Sequence, residues 1–214
     1  HILFLMSDTG GGHRASMNAI VAALTERYGA DSFTWDYVDA YRAMRFPSNK
    51  MPDWYPWFVK QGRPLWTMVY WLADHVWISR VAAQISYLFN RSNLKRMVQR
   101  YPADLVVSVH SVILGPSVSA YQTLPQRPPI VTVVTDLITT PFFWYDPRVE
   151  LTLVPTQTAF QRGLMAGMSP DKMQITGLPV HPSFMHGLGD KAAARRELGW
   201  DADKPAVLIV GGSE

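Results

Sequence analysis

The stretch that most constrains this chain is its opening, His1-Ile-Leu-Phe-Leu-Met-Ser-Asp-Thr-Gly-Gly-Gly-His-Arg-Ala-Ser16. Ile2 to Met6 is an apolar run without polar alternation, the pattern of a strand buried on both faces. Gly10, Gly11 and Gly12 then permit a sharp turn and a close approach of backbone N–H groups to a ligand. From about His13 the apolar residues Ala15, Ala19, Ile20, Ala23 and Leu24 follow a helical period. Strand, glycine turn and helix N-terminus together gather free N–H groups and a positive helix end, a site suited to anions or sugars. His13 stands at the mouth of that turn, where a proton acceptor has use. The plainer alternative is a tight packing turn with a solvated histidine. The spacing is neither a Gly-x-Gly-x-x-Gly fingerprint nor a P-loop, which requires Gly-Lys-Ser/Thr after four intervening residues.

Strand and helix signals alternate from there onward. Phe33–Val38, Asp104–Val109, Ile130–Val134, Leu151–Val154 and Met173–Thr176 read as strands. Helices are expected as far as Tyr28, over Arg91–Arg100 until Pro102, over Gly115–Gln122, and from a Thr156 cap toward Gly167. This order predicts an α/β fold with a doubly wound parallel, Rossmann-like sheet and right-handed crossovers. The strand C-terminal ends of such a sheet gather in one crevice. His13, His110, Asp136 and the Phe142–Tyr145 loop all fall there. His110 alone fits a hydrogen-bonded structural histidine equally well, and Asp136 alone fits a loop cap. Their conjunction is what marks a site.

Residues 42–89 break the pattern with five of the eight tryptophans, Trp54, Trp57, Trp66, Trp71 and Trp77, mixed with Lys60, Arg63, Arg80 and His75. No window there is long and uncharged enough for a membrane span. Aromatics interleaved with cations suit a helix pair lying on a bilayer, rings at headgroup depth and charges toward anionic lipid. A helical hairpin whose tryptophans fill the core is the competing reading. The bulk numbers narrow the partners further. Hydrophobic residues are 48% and charged ones 17%, enough for a packed core. A net charge of +3 hints at an anionic surface or ligand but does not indicate nucleic acid. Absence of Cys excludes disulfides and thiolate sites, and the six histidines lack a compact metal-ligand spacing.

Toward the end, Gly177-Leu-Pro-Val-His-Pro-Ser-Phe184 closes the first domain, expected over 1–184, and residues 185–204 form a linker with a helix. Pro205–Val210 then reads as a new buried strand, with Gly211, Gly212 and Ser213 repeating the opening arrangement. Residues 205–214 are thus expected to begin a second Rossmann-like domain. The chain opens in a core strand without an initiator Met, so a trimmed sequence without a leader is expected.

Three motifs carry a resemblance: Ser7-Asp-Thr-Gly-Gly-Gly-His-Arg-Ala-Ser16, Val131-Thr-Val-Val-Thr-Asp-Leu137 with Trp144, and Gly177–Phe184. With these the chain resembles the monogalactosyldiacylglycerol synthases and the bacterial processive diacylglycerol glucosyltransferases, a group that includes the lipid-II N-acetylglucosaminyltransferase. The resemblance implies the N-terminal, acceptor-binding half of a GT-B glycosyltransferase. Such an enzyme transfers galactose or glucose from a UDP-sugar to diacylglycerol, without a metal or other cofactor. It implies His13 as general base, and Gly11, Gly12, His110, Asp136 and Trp144 on the acceptor or lipid side. Gly211, Gly212 and Ser213 would belong to the donor side, and Trp54, Trp57, Lys60, Arg63, Trp66 and Trp71 to the membrane surface. The expected partners are diacylglycerol, anionic membrane lipid and UDP-galactose or UDP-glucose, at the cytoplasmic face of a membrane. The loop Thr139–Trp144 departs from the plant pattern in lacking a His-Pro pair. A polyprenyl-linked acceptor, or a non-catalytic lipid-binding module dimerised through the cleft face, are the alternatives.

Overall fold

The computed structural model of this chain describes residues 1–9, 11–186, 189–201 and 203–209, with Arg63 described by its backbone alone. Its sheet has six strands, β1 (Ile2–Met6), β2 (Trp35–Asp39), β3 (Leu105–Ser108), β4 (Ile130–Val133), β5 (Leu151–Val154) and β6 (Met173–Ile175). Their spatial order is β2-β1-β3-β4-β5-β6, and every neighbouring pair is parallel. The expected doubly wound α/β sheet is therefore present, each strand within about a residue or two of its sequence-derived bounds.

The near-continuous apolar runs follow from burial on both faces. On one face, helix α1 (Gly11–Tyr28) packs Met17 onto Phe4, Met6, Val107, Val109 and Val133. On the other face lie α5 (Val76–Arg100), α6 (Leu114–Tyr121) and α7 (Gln157–Met165), whose buried residues join Leu3, Leu5, Val106 and Ile130. Gly115 permits the α5–α6 approach, since a Cβ there would stand 2.9 Å from the Ala83 Cβ. Thr156 caps α7 by accepting from the Ala159 N–H at 3.1 Å, as expected.

The Trp-rich region is built differently from the expected helix pair. After the short α2 (Ala40–Ala43), residues 51–100 form α3 (Met51–Lys60), α4 (Arg63–Ala73) and the 25-residue α5. The third helix runs through position 89 without a break, so the basic stretch Arg91–Arg100 is its C-terminal part. Pro64 at the start of α4 suits a first-turn proline, which needs no N–H partner. No helix among the described residues is long and apolar enough to cross a membrane.

Two short helices follow β6, α8 (Ser183–His186) and α9 (Lys191–Glu197). Of the expected strand Pro205–Val210, residues 205–209 are described. Residues 205–209 join no strand, and Val207, Leu208 and Ile209 are 84%, 75% and 88% exposed. An apolar run forms a strand only where a neighbour supplies the hydrogen bonds, and the sheet above offers this run none. Gly10, Gly211, Gly212 and Ser213 lie outside the described residues.

Candidate active site

In an order of β2-β1-β3 the connections leaving β1 and β3 diverge, and a crevice opens at their C-terminal ends. His13 enters it from the first turn of α1. Its Nδ1 lies 2.7 Å from the Val109 carbonyl oxygen at the end of β3. A carbonyl only accepts, so Nδ1 carries the proton and Nε2 keeps the lone pair. Burial pushes the His13 pKa below its ordinary 6.5, outweighing the Val109 bond and the Asp136 charge, which raise it. This is a neutral imidazole with one nitrogen tied down and the other free for proton transfer.

His110 follows β3 and is only 4% exposed. Its ring lies 4.3 Å from that of His13, and Tyr41 meets its edge at 5.7 Å. Nε2 is 2.9 Å from Thr9 Oγ1, while Nδ1 is buried without a hydrogen-bond partner. Burial, and secondarily the nearby His13, holds its pKa well below 6.5. Asp136 follows β4, and its Oδ2 accepts from Trp144 Nε1 at 2.7 Å. Trp144 itself is fully buried in the core cluster, so it shows no face to a lipid. The aromatic loop divides its residues: Phe142, Trp144 and Tyr145 turn inward, and Phe143 borders the crevice.

These groups open into a cavity of about 260 Å³. Thr9, His13, His110, Ser111 and Asp136 supply polar groups to it; Met51, Tyr55, Trp66, Val69, Tyr70 and Ala73 supply the helical wall. The wall aromatics support one another, with Tyr55–Trp66 at 5.5 Å and Trp66–Tyr70 at 5.4 Å. No Lys or Arg stands among the described residues that line it. Burial, reinforced by the Asp136 charge, raises the Tyr55 and Tyr70 hydroxyls above their ordinary range, so both are neutral donors.

The expected site residues thus separate. His13, His110 and Asp136 converge on one cavity, with Trp144 behind Asp136. Gly11 and Gly12 lie in the exposed first turn of α1 and do not border the cavity. Neither takes a positive φ, and a Cβ on either would meet no protein atom within 4 Å. Trp54, Trp57 and Trp71 are 40%, 53% and 63% exposed and Lys60 is exposed, whereas Trp66 points into the cavity wall. The Arg63 side chain lies outside the described residues.

Sequence reasoning missed Thr9, Tyr41, Tyr55 and Tyr70 as lining groups. A signal existed for two of them: Met51 and Tyr55 are four apart, and Trp66, Val69, Tyr70 and Ala73 follow one helical face. It named Trp77 but missed Val81, Ile85, Leu88 and Phe89, which extend that residue into a stripe of exposed apolar side chains along α5. Among the described residues no group of three or more His, Asp or Glu side chains could hold a metal ion.

A parallel Rossmann-like sheet, with a neutral histidine in the cavity at its switch point, places this chain in the α/β class of the GT-B N-terminal domains. The family model described as monogalactosyldiacylglycerol (MGDG) synthase matches residues 13–180. The chain belongs to the monogalactosyldiacylglycerol synthase family. It is 36% identical over 217 residues to the chloroplastic monogalactosyldiacylglycerol synthase of Spinacia oleracea, covering 100% of this chain and 41% of that protein. A probable synthase of Glycine max is 37% identical over 221 residues, with 100% and 40% covered. Monogalactosyldiacylglycerol synthase 1 of Arabidopsis thaliana is 33% identical over 216 residues, with 100% and 40% covered. The chain therefore spans less than half the length of these curated relatives.

Proposed function

We propose that this chain is the acceptor-binding domain of a glycosyltransferase that moves galactose or glucose from a UDP-sugar to membrane diacylglycerol. The observation that carries this reading is a neutral His13, held through Nδ1 by Val109, in a largely apolar cavity without a lining cation among the described residues. An alcohol is a weak nucleophile, and a positioned imidazole of depressed pKa is unprotonated and ready at neutral pH. The acceptor hydroxyl gives its proton to His13 Nε2 as its oxygen bonds to the anomeric carbon. The bond from that carbon to the diphosphate oxygen breaks, and the electron pair leaves with UDP. No metal takes part in this scheme.

The donor side belongs to a further domain in this reading. Pro205–Val210 with Gly211, Gly212 and Ser213 would open it, and a glycine turn before a helix suits a diphosphate. The bilayer is approached by Trp54, Trp57, Trp71 and Lys60, together with the apolar stripe of α5. Exposed Trp beside Lys is the composition of an interfacial helix and favours anionic lipid. The protein then works peripherally at a membrane surface.

The test is transfer by the full-length protein to diacylglycerol in vesicles, with and without His13→Ala. Turnover that survives the substitution rules out His13 as the base. A polyprenyl diphosphate acceptor is disfavoured by the same cavity, because two phosphates beside Asp136, with no lining cation among the described residues, would be repelled. Preference for a polyprenyl diphosphate sugar over diacylglycerol would reverse that choice. Lipid binding by the full-length protein without any transfer would leave a non-catalytic module.

A further inference from the structure

We infer that Trp144 serves the reaction through Asp136, as a positioning residue that holds this carboxylate near His13, and that Asp136 is the counter-charge for His13 once it has taken the acceptor's proton. The inference rests on the reading of His13 as the base.

Trp144 is fully buried, so its ring has no free face for a ligand. An indole has one polar atom, a donor, and here that donor is engaged by Asp136 Oδ2 at 2.7 Å. Hydrogen bonds to a charged acceptor are about twice as strong as neutral ones, so the pairing selects a carboxylate at position 136. The indole cannot follow a mobile partner. Its turn is closed by Trp144 N–H to the Pro141 carbonyl at 3.0 Å and by Tyr145 N–H to the Phe142 carbonyl at 3.2 Å. The His13 and Trp144 rings are 6.3 Å apart, and Asp136 borders the same cavity as His13.

The charge balance explains why such a carboxylate would be held there. His13 faces His110 from β3, Asp136 from β4, Tyr41 from α2, Tyr55 from α3 and Tyr70 from α4. Asp136 is the one carboxylate among these groups, and none is a Lys or Arg. Before proton transfer the pair His13–Asp136 carries one negative charge, and after it the pair is neutral. In a largely apolar cavity, a fixed opposite charge beside the developing imidazolium is worth more than in solvent. The Asp136 charge acts on His13 in this direction, against burial.

Histidine-resolved NMR titration of the 214-residue chain tests the pairing directly. Asp136→Asn keeps an oxygen for the indole while removing the charge. In that variant the His13 pKa should fall further, because the Asp136 charge acts to raise it. The Trp144 Nε1–H resonance should move as well. Trp144→Phe should lower the His13 pKa by less, because the carboxylate stays but loses its clamp. In the full-length transferase each variant should lower kcat with acceptor KM nearly unchanged, and the double variant should be no worse than Asp136→Asn alone. An unmoved His13 pKa in Asp136→Asn overturns the inference. So does a Trp144→Phe enzyme whose acceptor KM rises while kcat holds, since that marks a ligand contact. If Trp144→Phe does not fold, the Asp136→Asn titration decides alone. Normal turnover in His13→Ala would instead remove the base itself, a failure separate from that of the titration.

Discussion

The imidazole rings of His13 and His110 stand 4.3 Å apart, at the C-terminal ends of adjacent strands. Two protonated rings at that distance would repel in a buried setting, and the fold keeps both neutral. In each case the folded-state pKa lies below the ordinary 6.5, so the unfolded chain binds protons more readily than the folded one. Stability from these groups is complete above about pH 6.5 and is lost as pH falls from there through the depressed folded values. Urea midpoints of the chain should therefore drop on acidification below about pH 6.5, before carboxylate protonation adds its own effect. His110→Phe, which keeps ring volume without a proton site, should flatten that limb of the profile. A midpoint as acid-sensitive as wild type would show that His110 has no part in it.

His13→Ala should lower transfer by the full-length enzyme by roughly 100- to 10,000-fold, the range of a general base. The structure changes the stability side of this expectation. His13 is no exposed loop residue; it joins the first turn of α1 to the end of β3 through the Val109 carbonyl. Loss of that bond should cost about 1 kcal/mol. Thermal denaturation beside the rate assay separates the two effects: a much larger stability loss would make the rate uninterpretable.

On vesicles, tryptophan emission should shift to the blue, more with anionic than with neutral lipid, and salt should weaken the difference over a screening length of about 10 Å at 0.1 M. Lys60→Gln should cost about 1 kcal/mol of binding to anionic vesicles. Arg80 is a poorer probe, because its guanidinium already donates to the Ala166 carbonyl at 2.6 Å. Trp71→Ala should reduce vesicle binding with little effect on folding, since the ring is 63% exposed. Unshifted emission on anionic vesicles would contradict the membrane surface.

Gly115→Ala should destabilise the chain by about 1 to 3 kcal/mol, the usual cost of an overpacked contact. The added methyl would stand 2.9 Å from the Cβ of Ala83, an atom that moves only with its helix. Gly12→Ala is the matched control. Its Cβ meets nothing within 4 Å, so stability should change little and helix propensity alone would raise it. Equal denaturation midpoints for the two variants would refute the packing argument.

The sheet was legible because its inner strands are buried and so carry near-continuous apolar runs, as at Ile2–Met6. His13, His110 and Asp136 were legible for a related reason: His110 and Asp136 closely follow such runs, His13 follows the glycine turn after one, and parallel strands bring those ends together. The cavity wall was not. Tyr55 and Tyr70 sit in a segment where nearly every position is aromatic or apolar, so composition drew attention to the outward tryptophans and hid the inward face. Trp144 was located but misjudged, since a sequence cannot say which aromatics of Phe142–Tyr145 turn into the core. Pro205–Val210 has the composition of a strand, but strand formation depends on a neighbour that no local pattern supplies.

Helix α5 has 25 residues, a rod of about 37 Å at 1.5 Å per residue. Its first half carries the outward stripe Trp77–Phe89, and its second half locks Leu94, Met97 and Val98 into the core beneath the sheet. On the proposed membrane face, one stiff strut would set both how the domain meets a lipid layer and where the sheet stands above it, so His13 would keep a constant stand-off from the layer. An acceptor reaching it would slide sideways between α3, α4 and the strand ends without crossing bulk water. The encounter is then two-dimensional. Velocity should follow the mole fraction of diacylglycerol in the layer, and diluting it with inert lipid at fixed total diacylglycerol should slow the reaction.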